Sequence, residues 1–422
     1  MTGRGRGRGR AALVALLALV GCSGGDPGSS SEEDGRSRSP STEAGAPDAD
    51  GGAPVATEEW EQLDDLPIPG RATAVTFWVD GELVVVGGDT FTCPDSADCM
   101  GPEEPPFADG AALDPATGTW RDIPDAPRPF SYASVAVVGT DAYLLTSANA
   151  AVDGTTDALL RYSTTEDAWT ELALPDGDPD WYRLVAAGDR LVAISGSDEA
   201  GVHRDLVFDA DADAWAPLPD DPFPASFDRL AVWSEPHLDL FAKDLAKVSG
   251  PQPAVLQVAR LDLAAGTWEQ LPDSDRIGSG PWLAEAGEIT SPNLGSADGG
   301  EVDGWGRAYQ NGGTLDLETG TWTDLPLPPG PTPTLDSTPP TSGIVGATGA
   351  VWFRKEGFAL DVTRDEWVDV APVPDGHEDA RPVVATAGRD MIAVAGYRWV
   401  DQRQSEAEML TAVWIRRTPP PA

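Results

Sequence analysis

The chain has 422 residues, of which 41% are hydrophobic, so it can bury a sizeable core in one large or several ordinary domains. Its formal net charge is −42, from 70 acidic and 28 basic residues, which excludes nucleic acid as a partner because phosphate binding needs Lys and Arg. The 46 Gly and 39 Pro favour many short elements joined by turns.

The pattern of residues 1–21, a basic segment followed by an apolar run, predicts an export signal. Four arginines, at positions 4, 6, 8 and 10, precede the apolar run Ala11–Val20, which is too short to span a bilayer. The run ends in Leu19-Val20-Gly21-Cys22, which resembles the bacterial lipobox. That resemblance implies lipidation of Cys22 and attachment to the cell membrane on the extracytoplasmic face. A Sec signal cleaved elsewhere, with Cys22 incidental, is the alternative.

Residues 22–56 follow as a Ser-, Gly-, Pro- and acid-rich segment with almost nothing to bury, and we expect a disordered tether. The folded body is expected over residues 57–417, followed by a Pro-rich tail at 418–422. No run after residue 21 is long and apolar enough for a transmembrane helix.

Two further cysteines, Cys93 and Cys99, lie in the segment FTCPDSADCM. An exported protein meets an oxidising compartment, which favours a disulfide that closes a small loop. A metal-binding pair is the alternative, but it needs further ligands, and no His or other Cys is near in sequence.

A tryptophan motif recurs along the body. Each copy has the pattern W-x-x-[LIV] followed soon by Pro, and the copies lie 45 to 60 residues apart by subtraction of their numbers. The motif residues are Trp60, Trp120, Trp169, Trp215, Trp268, Trp322 and Trp367. Such a period indicates a repeat architecture.

Each interval between motif tryptophans contains two short apolar runs around a Gly or Asp turn, as in ATAVTFWVDG and ELVVVGGD, which predicts a β-hairpin. A third strand then leads through a turn into the Trp strand. No stretch keeps a 3.6-residue period, so helix content is expected to be low. Each unit is therefore predicted to be four antiparallel strands.

The turn before the Trp strand carries an Asp six residues ahead of the Trp in five copies. These are Asp114, Asp209, Asp262, Asp316 and Asp361, while Ser163 replaces Asp ahead of Trp169. We expect the carboxylate to accept hydrogen bonds from amides of the turn, and Gly320 to take a positive φ. A structural hinge is therefore preferred to a metal or active site.

Four-stranded units at this period predict an all-β β-propeller with seven blades. Residues 58–63 are expected to supply the fourth strand of the last blade and so close the ring, which removes an open edge. Six blades is the alternative, if the irregular region around 280–311 is not a full blade.

These features resemble the Kelch-repeat family and the galactose-oxidase-like propellers. The resemblance rests on Gly87-Gly88 after a second strand, on Tyr162, Phe208 and Leu315 before the turn, and on the motif tryptophans. It covers residues 57–417, and it implies a ligand site at one end of a central channel, among the long loops.

Candidate ligand-binding residues fall in segments that this fold would bring to the channel mouth. The basic ones are Arg71, Arg128, Arg183, Arg229, Arg276 and Arg381, and the aromatic ones are Trp181, Tyr182, Trp282 and Tyr397. An arginine ring could hold a carboxylate or sugar acid, and aromatics could stack a sugar or peptide. Ion pairing with the many acids, and core packing of the aromatics, are the alternatives.

No cofactor, metal site or catalytic residue is predicted. Galactose-oxidase chemistry needs a copper held by His and Tyr and a Tyr–Cys crosslink, and no free Cys remains once Cys22 and the disulfide are assigned. The acidic run at Asp209, Asp211 and Asp213 lacks the Gly of a calcium loop.

The sequence thus favours a monomeric, membrane-anchored binding module that recognises an envelope or extracellular protein or a glycan. The alternative is an envelope enzyme that acts on a sugar or peptide at the channel mouth. Paired, buried carboxylates would favour the enzyme, and an apolar patch without perturbed acids would favour the binder.

Overall fold

The computed structural model describes residues 60–417 except 95–96, 98, 100, 102–103, 149–154, 286, 300–303, 327–357, 362–365, 370, 372, 374–380 and 388–389. The expected signal, Cys22, tether and tail therefore lie outside the described residues. The chain divides into two compact units. One is Pro54–Thr92 with Cys99–Ala422 and holds every strand, and the other is Met1–Ala53 with Cys93–Asp98, in which Ala97 N donates to Pro94 O at 3.0 Å.

The regular structure of the described residues is β-strand, with two 3₁₀ turns at Pro179–Trp181 and Leu245–Lys247 and no α-helix. The strands are β1 Trp60–Gln62, β2 Val75–Val79, β3 Glu82–Val86, β4 Gly110–Asp114, β5 Thr119–Ile123, β6 Ala133–Val138, β7 Asp141–Thr146, β8 Ala158–Ser163, β9 Ala168–Leu172, β10 Tyr182–Ala187, β11 Arg190–Ser195, β12 Leu206–Asp209, β13 Ala214–Pro217, β14 Ser226–Ser234, β15 His237–Asp244, β16 Leu256–Asp262, β17 Thr267–Gln270, β18 Leu283–Glu285, β19 Glu288–Ser291, β20 Ser296–Ala297, β21 Tyr309–Gln310, β22 Gly313–Asp316, β23 Thr321–Thr323, β24 Phe358–Asp361, β25 Glu366–Asp369, β26 Arg381–Ala387, β27 Asp390–Trp399 and β28 Ala407–Arg416.

The strands form antiparallel sheets in the predicted order. Four sheets follow the chain directly, as β2–β5, β6–β9, β10–β13 and β14–β17, and a fifth has the order β18-β19-β22-β23. A sixth joins the two ends of the body in the order β1-β28-β27-β26, with Trp60 opposite Arg416, while β24 pairs with β25. The all-β prediction is confirmed, and the repeated sheets are consistent with a β-propeller.

The irregular region around 280–311 forms strands of a complete four-stranded sheet. Its second and third strands, β19 and β22, pair directly, and the short ribbon β20–β21 is inserted between them. The irregular sequence therefore reflects an insertion at one point of the sheet and does not replace a strand.

The first strands of successive sheets lie beside one another, in the order β26, β2, β6, β10, β14 and β18. Apolar side chains from neighbouring sheets meet between them, so that Phe77 and Val84 pack in one buried cluster with Leu144 and Tyr162 of the next sheet. Burial of one such side chain contributes about 1.5–3 kcal/mol. The sheets thus bury both faces against each other, as their continuous apolar runs require.

The turn between third and fourth strands is built by its Asp. The Asp316 carboxylate accepts hydrogen bonds from the Glu318 and Thr319 amides at 2.8 and 2.9 Å, and these amide donors lower the pKa of Asp316. Gly320 has φ 68°, and two copies that lack the glycine have Asp167 and Asp213 at the corresponding position, with φ 45° and 46°. Asp tolerates this left-handed conformation better than most residues, so the turn keeps its shape without the Gly.

Six of the seven motif tryptophans each donate a hydrogen bond to a backbone carbonyl that follows the previous motif tryptophan. The Trp120 Nε1 donates to Asp64 O at 2.9 Å, and Asp64 lies four residues after Trp60. The same offset recurs for Trp169, Trp215, Trp268 and Trp367, which donate to the carbonyls of Pro124, Ala173, Pro219 and Pro326 respectively. Trp60 donates to Ala371 O at 2.7 Å, four residues after Trp367, whereas the Trp322 Nε1 has no acceptor within the described residues.

Candidate binding site at the loop end of the sheets

The strand order gives every sheet two different ends. In an antiparallel meander, the 1–2 hairpins and the Asp turns lie at one end, which we call the turn end. The 2–3 loops and the connections from one sheet to the next lie at the other, which we call the loop end. The long segments of the body are at the loop end, so any site built from loops lies there.

The exposed large apolar side chains of the described residues all fall at the loop end. Val202, Val248 and Val400 belong to 2–3 loops and are 77%, 55% and 58% exposed, while Tyr132 and Leu174 belong to connections between sheets. Exposure of a large apolar residue has a free-energy cost that the turn end avoids. The exposed large apolar residues of the described part of the chain therefore share one end of the sheets.

A central cavity of about 1070 Å³ lies between the sheets. Its walls come from β2, β6, β10, β14 and β26, which are the first strands of five sheets, and from residues just before them. The exposed Tyr132 and its neighbour Ser131 belong to the lining, and both precede β6. The cavity is therefore lined partly by the loop end.

Three of the six predicted arginines are buried in ion pairs. The Arg71 Nη2 contacts Asp109 Oδ1 at 3.1 Å, and its Nη1 donates to Gly87 O. The Arg276 Nη1 contacts Asp324 Oδ1 at 2.6 Å and donates to Gly312 O. Arg229 is likewise buried and paired with acids. For these three, the structure favours ion pairing over ligand binding.

The other three arginines are exposed, and the structure gives them separate partners. Arg128 pairs with Glu171 at 3.2 Å. Arg183 donates to the carbonyls of Asp180 and Tyr182, and Arg381 lies over the Tyr397 ring. The contacts of the six arginines therefore do not join them into one anion site.

The four predicted aromatics divide between core and surface. Trp282 is buried and stacks on Phe241 with ring centroids 4.4 Å apart, and Tyr182 is buried with its hydroxyl donating to backbone carbonyls. Trp181 and Tyr397 are half-buried, and Trp181 stacks on His203 at 3.7 Å. Trp181 and Tyr397 are therefore the two of the four that keep part of their surface exposed.

A second cavity, of about 320 Å³, contains the most perturbed acid of the loop end. The Arg229 Nη2 contacts Asp205 Oδ2 at 2.8 Å and Asp221 Oδ2 at 3.0 Å, so two carboxylates share one nitrogen. Burial raises the pKa of Asp205 to about 6, although Arg229 opposes this. A close pair with one raised pKa is an arrangement that general acid catalysis uses.

The same Asp position recurs in neighbouring sheets, which gives the pair a structural explanation. Asp109, Asp157 and Asp205 each directly precede a third strand. The Asp157 carboxylate accepts from Ala148 N at 2.7 Å, and Asp205 accepts from Ser195 N at 2.9 Å, in both cases at the end of the second strand. Asp109 instead meets Arg71, which binds the carbonyl after the second strand. The Asp thus fixes the start of the 2–3 loop.

Cys93 and Cys99 are disulfide-bonded, as predicted. The described part of the chain has no cluster of three or more His, Cys, Asp or Glu residues placed to hold a metal ion. It also has no helix with the length and apolarity to cross a membrane.

Comparisons with known proteins give a fold-level likeness only. No protein-family model matches the chain, and no curated protein matches it. Among solved structures 492 chains match, and one of them, "Structure of YjhT", is 12% identical with a TM-score of 0.41. That match covers 83% of this chain and 96% of the other. At this level the likeness bears on neither blade count nor ligand.

Several residues of the loop end and of the cavity wall lie outside the sequence predictions. The exposed valines at 202, 248 and 400 and Tyr132 stand out by exposure, and Trp78 and Trp233 by their place in the cavity wall. A Val inside an otherwise polar loop was the available signal for the first group. Nothing in the sequence distinguishes the cavity tryptophans from core residues.

Proposed function

We propose that this protein is a lipid-anchored, extracytoplasmic binding module that recognises a protein or glycan through the loop end of its sheets. The observation that carries the proposal is the concentration of exposed large apolar side chains at that end. These residues belong to different loops and connections, so a large ligand that contacts several loops at once would cover them. The half-buried Trp181 and Tyr397 add aromatic surface at the same end.

We further propose a closed, seven-bladed propeller of Kelch type. The pairing of β1 with β28 and the bond from Trp60 to Ala371 O support closure, because Trp60 repeats the tie of the other motif tryptophans. We expect Trp60→Phe to lower the free energy of unfolding by about 1 kcal/mol through the lost hydrogen bond.

The matched control for that substitution is Trp322→Phe, which removes an indole N–H that has no acceptor in the described structure. Urea denaturation of both variants gives the comparison. If Trp60→Phe proves no more costly than Trp322→Phe, the closing tie is absent.

An envelope enzyme is the second candidate, favoured by the carboxylates of Asp205 and Asp221 around Arg229. The binding function fits better because both Asp205 oxygens are used inside the protein, one by Ser195 N and one by Arg229. The side chain of Asp205 is also only 5% exposed, so a substrate has little access to it.

The test is a binding assay with the full chain against a glycan array and, by crosslinking, an envelope extract. We expect the double variant Val202→Asp and Val248→Asp to lose the captured ligand while its unfolding midpoint is unchanged. Thr267→Asp, an exposed change at the turn end, is the matched control and should bind normally. Equal binding by all three proteins would place recognition elsewhere, and ligand turnover abolished by Asp221→Asn would favour the enzyme.

The proposed lipid anchor at Cys22 is tested separately. Labelling with a fatty-acid analogue should depend on Cys22, and Cys22→Ser should release the protein from the membrane fraction. Labelling that persists in Cys22→Ser would refute the anchor.

A further inference from the structure

Within the described part of the chain, the wall of the central cavity carries no charged side chain. Twenty described residues line it, and none of these is Asp, Glu, Lys, Arg or His, although charged residues make up 23% of the chain. Val, Ala and Thr dominate the wall, with Trp78 and Trp233 as the largest side chains. In so acidic a protein, a wall whose described residues include no Asp, Glu, Lys, Arg or His defines a chemically distinct site.

The same wall offers neutral hydrogen-bonding groups. Each first strand pairs with only one neighbour in its sheet, so its other edge carries backbone N–H and C=O groups that the sheet does not use. One such amide, Leu184 N, donates a hydrogen bond to the uncharged Ser134 hydroxyl at 2.8 Å. The cavity therefore combines apolar side chains with uncharged donors and acceptors.

These two properties define which ligands fit. A neutral molecule with an apolar frame gains from the Val, Ala and Trp side chains, and its polar atoms can bind the strand edges. An ion meets no opposite charge among the described wall residues, so any hydration that it gives up on contact with the wall is not replaced by a counter-charge. The volume of about 1070 Å³ is at the upper end of the range of small-molecule sites.

We propose that the central cavity is a binding site for a neutral, mainly apolar small molecule that carries hydrogen-bonding groups, and that it discriminates against ions. This site shares Tyr132 with the loop-end surface of the proposed function, but most of its wall comes from the first strands. A small molecule in the cavity and a macromolecule at the loop end are two different ligands, and the assays for them are separate.

Two fluorescent probes on the same anilinonaphthalene frame test the proposal with the full chain. N-phenyl-1-naphthylamine is neutral, and 8-anilino-1-naphthalenesulfonate carries one negative charge. We expect the neutral probe to bind at least about tenfold more tightly. Equal affinities, or tighter binding of the sulfonate, would overturn the proposal.

Charge variants of the half-buried wall residue Thr76 test whether the two probes bind inside the cavity. Thr76→Asp should weaken the neutral probe about tenfold or more, and Thr76→Lys should strengthen the sulfonate relative to the neutral probe. Simple misfolding does not predict that reversal. Thr267→Asp, at the turn end, should change neither affinity. If the Thr76 variants also leave both affinities unchanged, the probes bind outside the cavity and the proposal fails, while the loop-end assay is unaffected.

Discussion

The turn end and the loop end of the sheets differ in how closely their sequences repeat from sheet to sheet. At the turn end, one device recurs from sheet to sheet, an Asp whose carboxylate binds the next amides and a left-handed residue four positions later. At the loop end, the 2–3 loops differ in length and one contains the ribbon β20–β21. The turn end is dictated by backbone geometry, so its sequence repeats, whereas the loop end is free to vary.

The loop end is itself divided by burial. Its buried groups, such as Arg71 with Asp109 and Arg229 with Asp205, hold the loop bases, and the exposed valines lie further out. A charged residue at this end therefore belongs to the fold when it is buried and paired. An apolar residue that remains exposed there is the better indicator of binding.

The largest expected effect comes from removing a buried arginine. Arg229→Met leaves Asp205 and Asp221 without their shared cation, and we expect a loss of about 3–5 kcal/mol in the free energy of unfolding. Urea denaturation at pH 7 measures this loss. Arg128→Met is the control, because its pair with Glu171 is exposed on both sides and should contribute less than about 1 kcal/mol.

A small effect of Arg229→Met would contradict the structural role. It would mean that the two carboxylates are stable without the arginine, and the catalytic interpretation of Asp205 and Asp221 would then gain weight.

A second effect appears in the pH dependence of stability. Burial raises the pKa of Asp205 to about 6, above its ordinary value of 3.8, so the folded state favours the protonated form. The resulting stabilisation is complete below pH 3.8 and is lost as the pH rises through 6. The stability difference between wild type and Asp205→Asn should therefore fall by about 1–3 kcal/mol between pH 4 and pH 6.5.

Thermal or urea denaturation of the two proteins at both pH values shows whether this stability difference falls or grows as the pH rises. A difference that grows with pH would mean that attraction by Arg229 outweighs burial, and that Asp205 is ionised throughout.

Much of the fold was predictable because its determinants are local. The Trp motif, the Gly and Asp turns and the apolar runs each occupy a few consecutive residues, and together they predict four strands per unit. The pairing of β1 with β28 followed from counting strands at the two ends of the body. The tie from each Trp to the carbonyl four residues after the previous Trp was not predictable, because backbone acceptors leave no mark in the sequence.

The candidate site was less predictable because exposure and pairing depend on tertiary structure. Arg128 and Arg229 occupy equivalent positions in the sequence pattern. In the structure, Arg128 forms a solvent-accessible pair with Glu171, whereas Arg229 is buried between two acids. Trp282 and Trp181 are also equivalent in sequence, and only packing places one in the core. The cavity wall depends on five strands from distant parts of the chain.

The smallest expected effect tests the turn end, where glycine matters for two separable reasons. Gly320 and Gly81 both have positive φ, at 68° and 82°, so alanine at either position has a backbone cost of about 1 kcal/mol. A Cβ at Gly320 would also lie 2.8 Å from Pro272 Cδ, whereas one at Gly81 would meet nothing within 4 Å. Gly320→Ala should therefore exceed Gly81→Ala by about 1 kcal/mol in urea denaturation. Equal costs would mean that the turn end tolerates close contact between sheets, and its repeated sequence would then reflect backbone conformation alone.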